Sequence, residues 1–249
     1  MAITRTKGIA RTSRLIRSED GLIDVNRRNF DPEYIRKELF KLDMVLVEKL
    51  TIYILGGAVM AINDIKPGTK DIDVLVQDDR DHKKLVDSLE ACGYFLLQSQ
   101  DLSKPYLQLS ATALENLDGF RWEIFIKYVA KKLQLTDKMK LRARMLYSRE
   151  KLTVFLLSNE DIFLLKGMTE RDRDLEDMAI LARHGLDYDA ILDECIDQSN
   201  LDQRGNNWEA SLVLKCDELK ERYGIEIPFI KKLRKMSEKR MASSNKRQT

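Results

Sequence analysis

Two pieces of one segment decide the reading: Tyr53-Ile54-Leu55-Gly56-Gly57-Ala58 and, after a gap, Thr69-Lys70-Asp71-Ile72-Asp73-Val74-Leu75-Val76. Ile52 to Leu55 is a short apolar run of strand type. Gly56-Gly57 stops it, and residues 58–63 read as a short helix. Without side chains, the glycines let backbone N–H groups approach an anion closely, and the start of a helix adds partial positive charge. That is a seat for a phosphate. Asp71 and Asp73 open a second strand, in which alternate side chains share a face. Two carboxylates side by side repel unless a cation stands between them. Mg²⁺ takes such oxygens and keeps positions open for substrate phosphates. Glu123, in RWEIFI (121–126), brings a third carboxylate on another apolar strand. Three acids around two metal ions suit in-line displacement at phosphorus. A plainer reading makes Asp71 and Asp73 a solvated strand end, the glycines a tight turn and Glu123 an exposed strand residue. The combination favours the chemical reading.

Around this segment strands and helices alternate. Asp31-Pro32 gives an N-cap and a first-turn proline, and Ile35, Leu39, Leu42, Val45, Leu46 and Leu50 recur at helical spacing, predicting a helix over 33–50. Further strands are expected at 94–98, 106–110, 121–127 and 152–157, and a helix at 79–92 closed by Gly93. From Ser158 the chain reads as helical: 160–168, 172–184, 188–199, 206–223 and 228–242. The expected fold class is α+β, a mixed sheet flanked by helices followed by a helical C-terminal domain. The expected domains are a loose basic arm at 1–29, a catalytic domain at 30–157, the helical domain at 158–243 and a tail at 244–249.

Composition narrows the classes. Of 249 residues, 43% are hydrophobic and 34% charged, which excludes a mostly disordered chain and a polytopic membrane protein. The longest apolar run, Thr51 to Ile62, falls short of the roughly 20 residues of a membrane span. No apolar segment follows the basic start, so no secretory signal is expected. Three widely spaced cysteines, Cys92, Cys195 and Cys216, argue for a reducing, cytoplasmic setting and read as small core residues. The net charge of +2 is uneven: residues 1–20 carry +3 and residues 231–249 carry +7, leaving an acidic body. Basic ends suit nucleic acid or simple solubility equally. Arg142 and Arg144 suit phosphate contact less well than a solvated helix, His184 reads as a helix cap, and Trp122 and Trp208 as core.

The Gly-Gly, short helix and acid–apolar–acid triplet, with an acid on a later strand, resemble the nucleotidyltransferase superfamily with a DNA polymerase β-like core. The resemblance covers roughly residues 50–180. A second block, SNEDIFLLKGMTERDRDLED (158–177), is similar to the segment after the core in the AbiEii-type toxin branch. It implies Mg²⁺ on Asp71, Asp73 and Glu123, nucleotide contacts from Gly56, Gly57, Thr69, Lys70 and Lys166, and an Asp174 that orients or deprotonates the acceptor. A compact cation at Lys166 suits a triphosphate. Asp174 and Asp177 lie three apart, on one helix face. Read plainly, residues 171–177 are a solvated helix with local ion pairs. Two departures stand out. Pro67-Gly68 precede Thr69 where many of these toxins carry Arg, and the third acid is Glu rather than Asp. The implied reaction moves an NMP from an NTP, ATP among the choices, to an acceptor hydroxyl. An RNA or tRNA end is slightly favoured over a protein or small molecule, and an antitoxin is the implied partner of a toxin. The alternatives are a nucleotide- or RNA-binding protein that keeps the fold without turnover, and a helical adaptor.

Overall fold

The computed structural model describes residues 15–18, 21–24, 27–98, 111–169, 171–202 and 207–245. Within the stretch read as a loose arm, β1 (Leu15–Ser18) and β2 (Gly21–Asp24) form an antiparallel hairpin. Helix α1 (Pro32–Val45) starts on Asp31, whose carboxylate accepts from Tyr34 N–H at 2.8 Å. It ends five residues sooner than its apolar spacing suggests. Leu50 is taken instead by the sheet, donating its N–H to Lys151 O at 2.8 Å and opening β3 (Leu50–Leu55). Tertiary pairing here overrides helical periodicity.

After β3 come α2 (Gly57–Ile62), β4 (Asp71–Val76), α3 (Asp79–Ala91), β5 (Phe95–Leu96), β6 (Thr112–Glu115) and β7 (Arg121–Ile126). A small hairpin, β8 (Tyr128–Val129) and β9 (Leu133–Gln134), leads to α4 (Asp137–Arg142), β10 (Arg144–Ser148) and β11 (Leu152–Leu156). Seven strands form one mixed sheet in the order β10-β11-β3-β4-β7-β6-β5. The β11–β3 and β4–β7 pairs are parallel and the rest antiparallel. Ile72 and Trp122 are fully buried, and Trp122 meets Tyr94 edge-on. The strand expected at 94–98 shrinks to two residues, and the one expected at 106–110 lies outside the described residues. Strand β6, which no residue pattern announced, pairs with the long β7.

Beyond β11 the described chain is helical: α5 (Asn159–Lys166), α6 (Asp172–Arg183), α7 (Tyr188–Leu201), α8 (Trp208–Tyr223) and α9 (Ile230–Asn245). His184 is the C-cap of α6, Trp208 is fully buried, and Cys195 and Cys216 are core residues. Arg142 is not a solvated helix residue. Its guanidinium binds Asp161 at 2.5 Å and Glu194 at 2.6 Å, both buried carboxylates of the helical part. Arg144 lies on edge strand β10, where it donates to Asn63 Oδ1 at 2.7 Å. Thr136 donates to Glu194, and Gln198 is bonded to the Gln134 backbone both ways. Sheet and helical part are therefore tied through a shared polar network.

Candidate active site

Parallel pairing of β4 with β7 builds the site. The register sets Asp73 directly beside Glu123 and Asp71 beside Arg121. Neighbouring strands lie about 4.8 Å apart, so these four side chains make two adjacent rows on one face. At the end of β3, Gly56 adopts φ +69° and ψ −145°. A Cβ there would fall on Asp73 Oδ2, so only glycine leaves room for this carboxylate. A Cβ on Gly57 would stand 2.9 Å from Thr69 Oγ1. The glycines are thus explained by the carboxylate and the threonine they face.

The Asp73–Glu123 row is strongly acidic. Burial, and then the negative Asp71, push Asp73 up to about 7. Burial, followed by Asp71 and Asp73, pushes Glu123 well above the usual carboxylate range. Glu123 is 4% exposed, and its Oε1 has no hydrogen-bond partner. A buried carboxylate oxygen without a partner is costly unless something binds it.

The neighbouring row is balanced. Arg121 donates twice to Glu115 Oε2, at 2.8 and 3.2 Å. Arg27, arriving from outside the sheet, stands 3.7 Å from Asp71 and 3.6 Å from Glu115. Two arginines and two acids thus alternate, which leaves the excess negative charge on Asp73 and Glu123.

The second block forms a cluster of its own. Lys166 donates to Asp174 at 2.8 Å and to Asp177 at 2.6 Å. Asp174 also accepts from Thr169 Oγ1 at 2.7 Å and Arg171 Nε at 2.6 Å. Burial would raise the Asp174 carboxyl, but Lys166 and Arg171 together outweigh it and hold it well below the usual range. A carboxylate that saturated is a poor proton acceptor. Lys66, in the loop after α2, ion-pairs with Asp177 and so joins the sheet side to α6. The charges of Lys166 and Arg171 also lower Asp73, which ties the two blocks electrostatically.

Asp71, Asp73, Glu123, Gly56, Gly57 and Thr69 therefore come together, and Lys166, Asp174 and Asp177 form one buried cluster within electrostatic reach. Lys70 contributes its backbone carbonyl, which accepts from Arg27 at 2.6 Å. Residue patterns missed Arg27, Lys66 and Glu115. Arg121 had a signal, since it precedes Glu123 by two on the same strand face. Among the described residues, no three or more His, Cys, Asp or Glu side chains are gathered as a finished metal cage. The donors still suit Mg²⁺, which binds through one or two carboxylates plus substrate phosphates rather than through all-protein cages. The unpartnered Glu123 oxygen beside Asp73 is the observation that fits such an ion.

A family model described as "Nucleotidyltransferase of unknown function (DUF6036)" matches residues 35–223. No curated protein matches the sequence. Among solved structures six chains match. One is JHP933 from Helicobacter pylori, with 13% identity, a TM-score of 0.39, and coverage of 89% of this chain and 100% of that one.

Proposed function

The chain belongs to the DUF6036 family of nucleotidyltransferases, and from that premise we propose that it transfers an NMP from an NTP to an acceptor hydroxyl in the presence of Mg²⁺. The observation that carries the reading is the Asp73–Glu123 pair, side by side on parallel strands, with Asp71 two residues back and one buried carboxylate oxygen unpartnered. Asp71 and Asp73, with Glu123 beside them, are the residues to hold the metal. When bound, the ion supplies charge neutralisation and orientation at the phosphates.

The chain's own residues do the rest. Gly56 keeps the Asp73 carboxylate against the strand end, and Thr69 is packed on Gly57. Lys66 and Arg171, less buried than Lys166, are the cations suited to exchange a carboxylate for a phosphate oxygen. Lys166, locked between Asp174 and Asp177, holds that lattice in shape. The acceptor hydroxyl oxygen attacks the α-phosphorus and gives up its proton to solvent, the bond from that phosphorus to the bridging oxygen breaks, and pyrophosphate departs. Catalysis is then mainly positioning and fixed charge. An RNA or tRNA end is the acceptor we favour, on the basic residues 231–249. A toxin role, with an antitoxin as partner, goes with that acceptor. No helix among the described residues is long and apolar enough to cross a membrane.

The test incubates the protein with Mg²⁺, each α-labelled NTP in turn, total RNA and cell extract, with an Asp71→Asn/Asp73→Asn double variant as control. Label in RNA, lost in the double variant, supports the proposal. Label in a protein band keeps the reaction and changes the acceptor. Equal label with the double variant sinks the assignment. NTP binding without turnover would leave a nucleotide-binding protein.

A further inference from the structure

Residues 27–30 lie outside the stretch that the family model matches, yet they are built into the carboxylate site. Phe30 and Thr69 exchange two backbone hydrogen bonds, 2.7 and 2.9 Å, directly before the Asp71 strand. A Cβ on Gly68 would stand 2.6 Å from Phe30 O, so the two segments touch backbone to backbone. Just before them, Arg27 turns inward with its side chain 7% exposed. Nη2 donates to Lys70 O at 2.6 Å and Nε donates to Gly119 O at 3.1 Å. Lys70 immediately precedes β4 and Gly119 stands two residues before β7. One guanidinium thus holds the starts of both strands that carry the acids. Its charge also faces Asp71 at 3.7 Å and Glu115 at 3.6 Å.

We propose that Arg27 is a positioning residue of the metal site: it staples the starts of β4 and β7 and so fixes Asp71 and Asp73 against Glu123. The inference rests on the metal-dependent reading given above. The work needs an arginine. Its planar fork donates in several fixed directions, whereas a lysine ammonium is a point charge on a flexible stem and cannot span two carbonyls and two carboxylates. Outer residues of this kind typically change metal affinity by about 10- to 100-fold when altered.

The two features of Arg27 separate by experiment, because charge and geometry act in opposite directions. Its positive charge opposes a nearby cation, while its staple arranges the ligands for one. Mn²⁺ alone is titrated into the full-length protein and followed by electron paramagnetic resonance. The variants are Arg27→Lys, Arg27→Gln and Asp73→Asn, each shown by a cooperative melt to be folded. The staple predicts that both Arg27 variants bind Mn²⁺ about tenfold more weakly. Wild-type affinity in Arg27→Lys with tighter binding in Arg27→Gln would mean charge alone, and overturns the proposal. Lowered melting temperatures with unchanged affinity would mean a structural residue only, and overturn it equally. Should Arg27→Gln fail to fold, Arg27→Lys decides. Should wild type bind no Mn²⁺, or Asp73→Asn bind it as well as wild type, the metal-dependent reading falls and takes this inference with it. Loss in Asp73→Asn with neither Arg27 variant affected defeats the Arg27 proposal alone.

Discussion

Gly56→Ala tests the geometry at its tightest point. The residue holds φ +69° and ψ −145°, a region that costs a non-glycine residue about 1–3 kcal/mol. The new methyl group also falls on Asp73 Oδ2, and overpacking of that kind costs about 1–3 kcal/mol. Reduced freedom of the unfolded chain returns about 0.4–1 kcal/mol. The sum centres on about 3 kcal/mol, or roughly 6–12 °C in melting temperature for a chain of this size. Asp73→Ala removes the clash, because the next atom, Asp73 Cβ, is 3.6 Å from the built methyl carbon, an ordinary contact. In that background Gly56→Ala should cost only its backbone share, about 1 kcal/mol, so a double-mutant cycle should return about 2 kcal/mol of coupling. Gly57→Ala is the comparator. Its methyl group meets Thr69 Oγ1 at 2.9 Å, but alanine favours the helix by about 1 kcal/mol, so the net cost should be near zero. Urea denaturation read by circular dichroism measures all five proteins, wild type included. A Gly56→Ala penalty of the same size with and without Asp73 would refute the claim that the glycine exists to make room for this carboxylate.

Three further outcomes follow from the charges. Asp73 is pushed up to about 7, above its unfolded value, so the folded protein binds more protons than the unfolded chain between about pH 4 and 7. In EDTA, melting temperature should therefore fall as pH rises across that window, and Asp73→Asn should flatten the slope; an unchanged slope counts against the buried pair. Lys166→Met strands Asp174 and Asp177 without their shared cation and should cost about 3–5 kcal/mol in urea denaturation. Arg142→Met should cost about as much, because Asp161 and Glu194 are both buried; a loss below about 1 kcal/mol would show the network to be dispensable.

The carboxylate site was legible because its parts are local. Gly56-Gly57 and Asp71-x-Asp73 lie within one strand–turn–strand segment, and period-two alternation puts both acids on one face without knowledge of the rest. Glu123 was legible by type, as a lone acid in an apolar strand. Only the register of β4 on β7 makes it the direct neighbour of Asp73. Arg27 carried no signal at all, since it sits among polar residues with no period and acts through two backbone carbonyls distant in sequence. Arg142 misled for a similar reason. KMKLRARM (138–145) looks like a solvated basic helix, and what binds the Arg142 guanidinium are acids 19 and 52 residues later. The helix after Pro32 overran because its apolar spacing continues to Leu50, and nothing local says that Leu50 belongs to a strand.

Charge gives the two blocks a reason to serve one site, as the proposed reaction requires. In the row of Asp71, Arg121, Glu115 and Arg27 each arginine faces an acid: Glu115 takes both guanidinium groups, and Asp71 stands 3.7 Å from Arg27. The Asp73–Glu123 row holds a carboxylate oxygen without a hydrogen-bond partner, and Lys66, Lys166 and Arg171 gather on Asp174 and Asp177. A cation held by the acids and polyphosphate oxygens held by the lysines and the arginine would each lower the electrostatic cost of binding the other. Metal and triphosphate should therefore bind with positive coupling: each should raise the affinity of the other by the same factor, as linkage requires. Calorimetric titration of a non-hydrolysable NTP analogue, with and without Mn²⁺, measures one side of that cycle, and a Mn²⁺ titration with and without the analogue measures the other. Tight analogue binding indifferent to the metal would show that the two blocks do not serve one ligand.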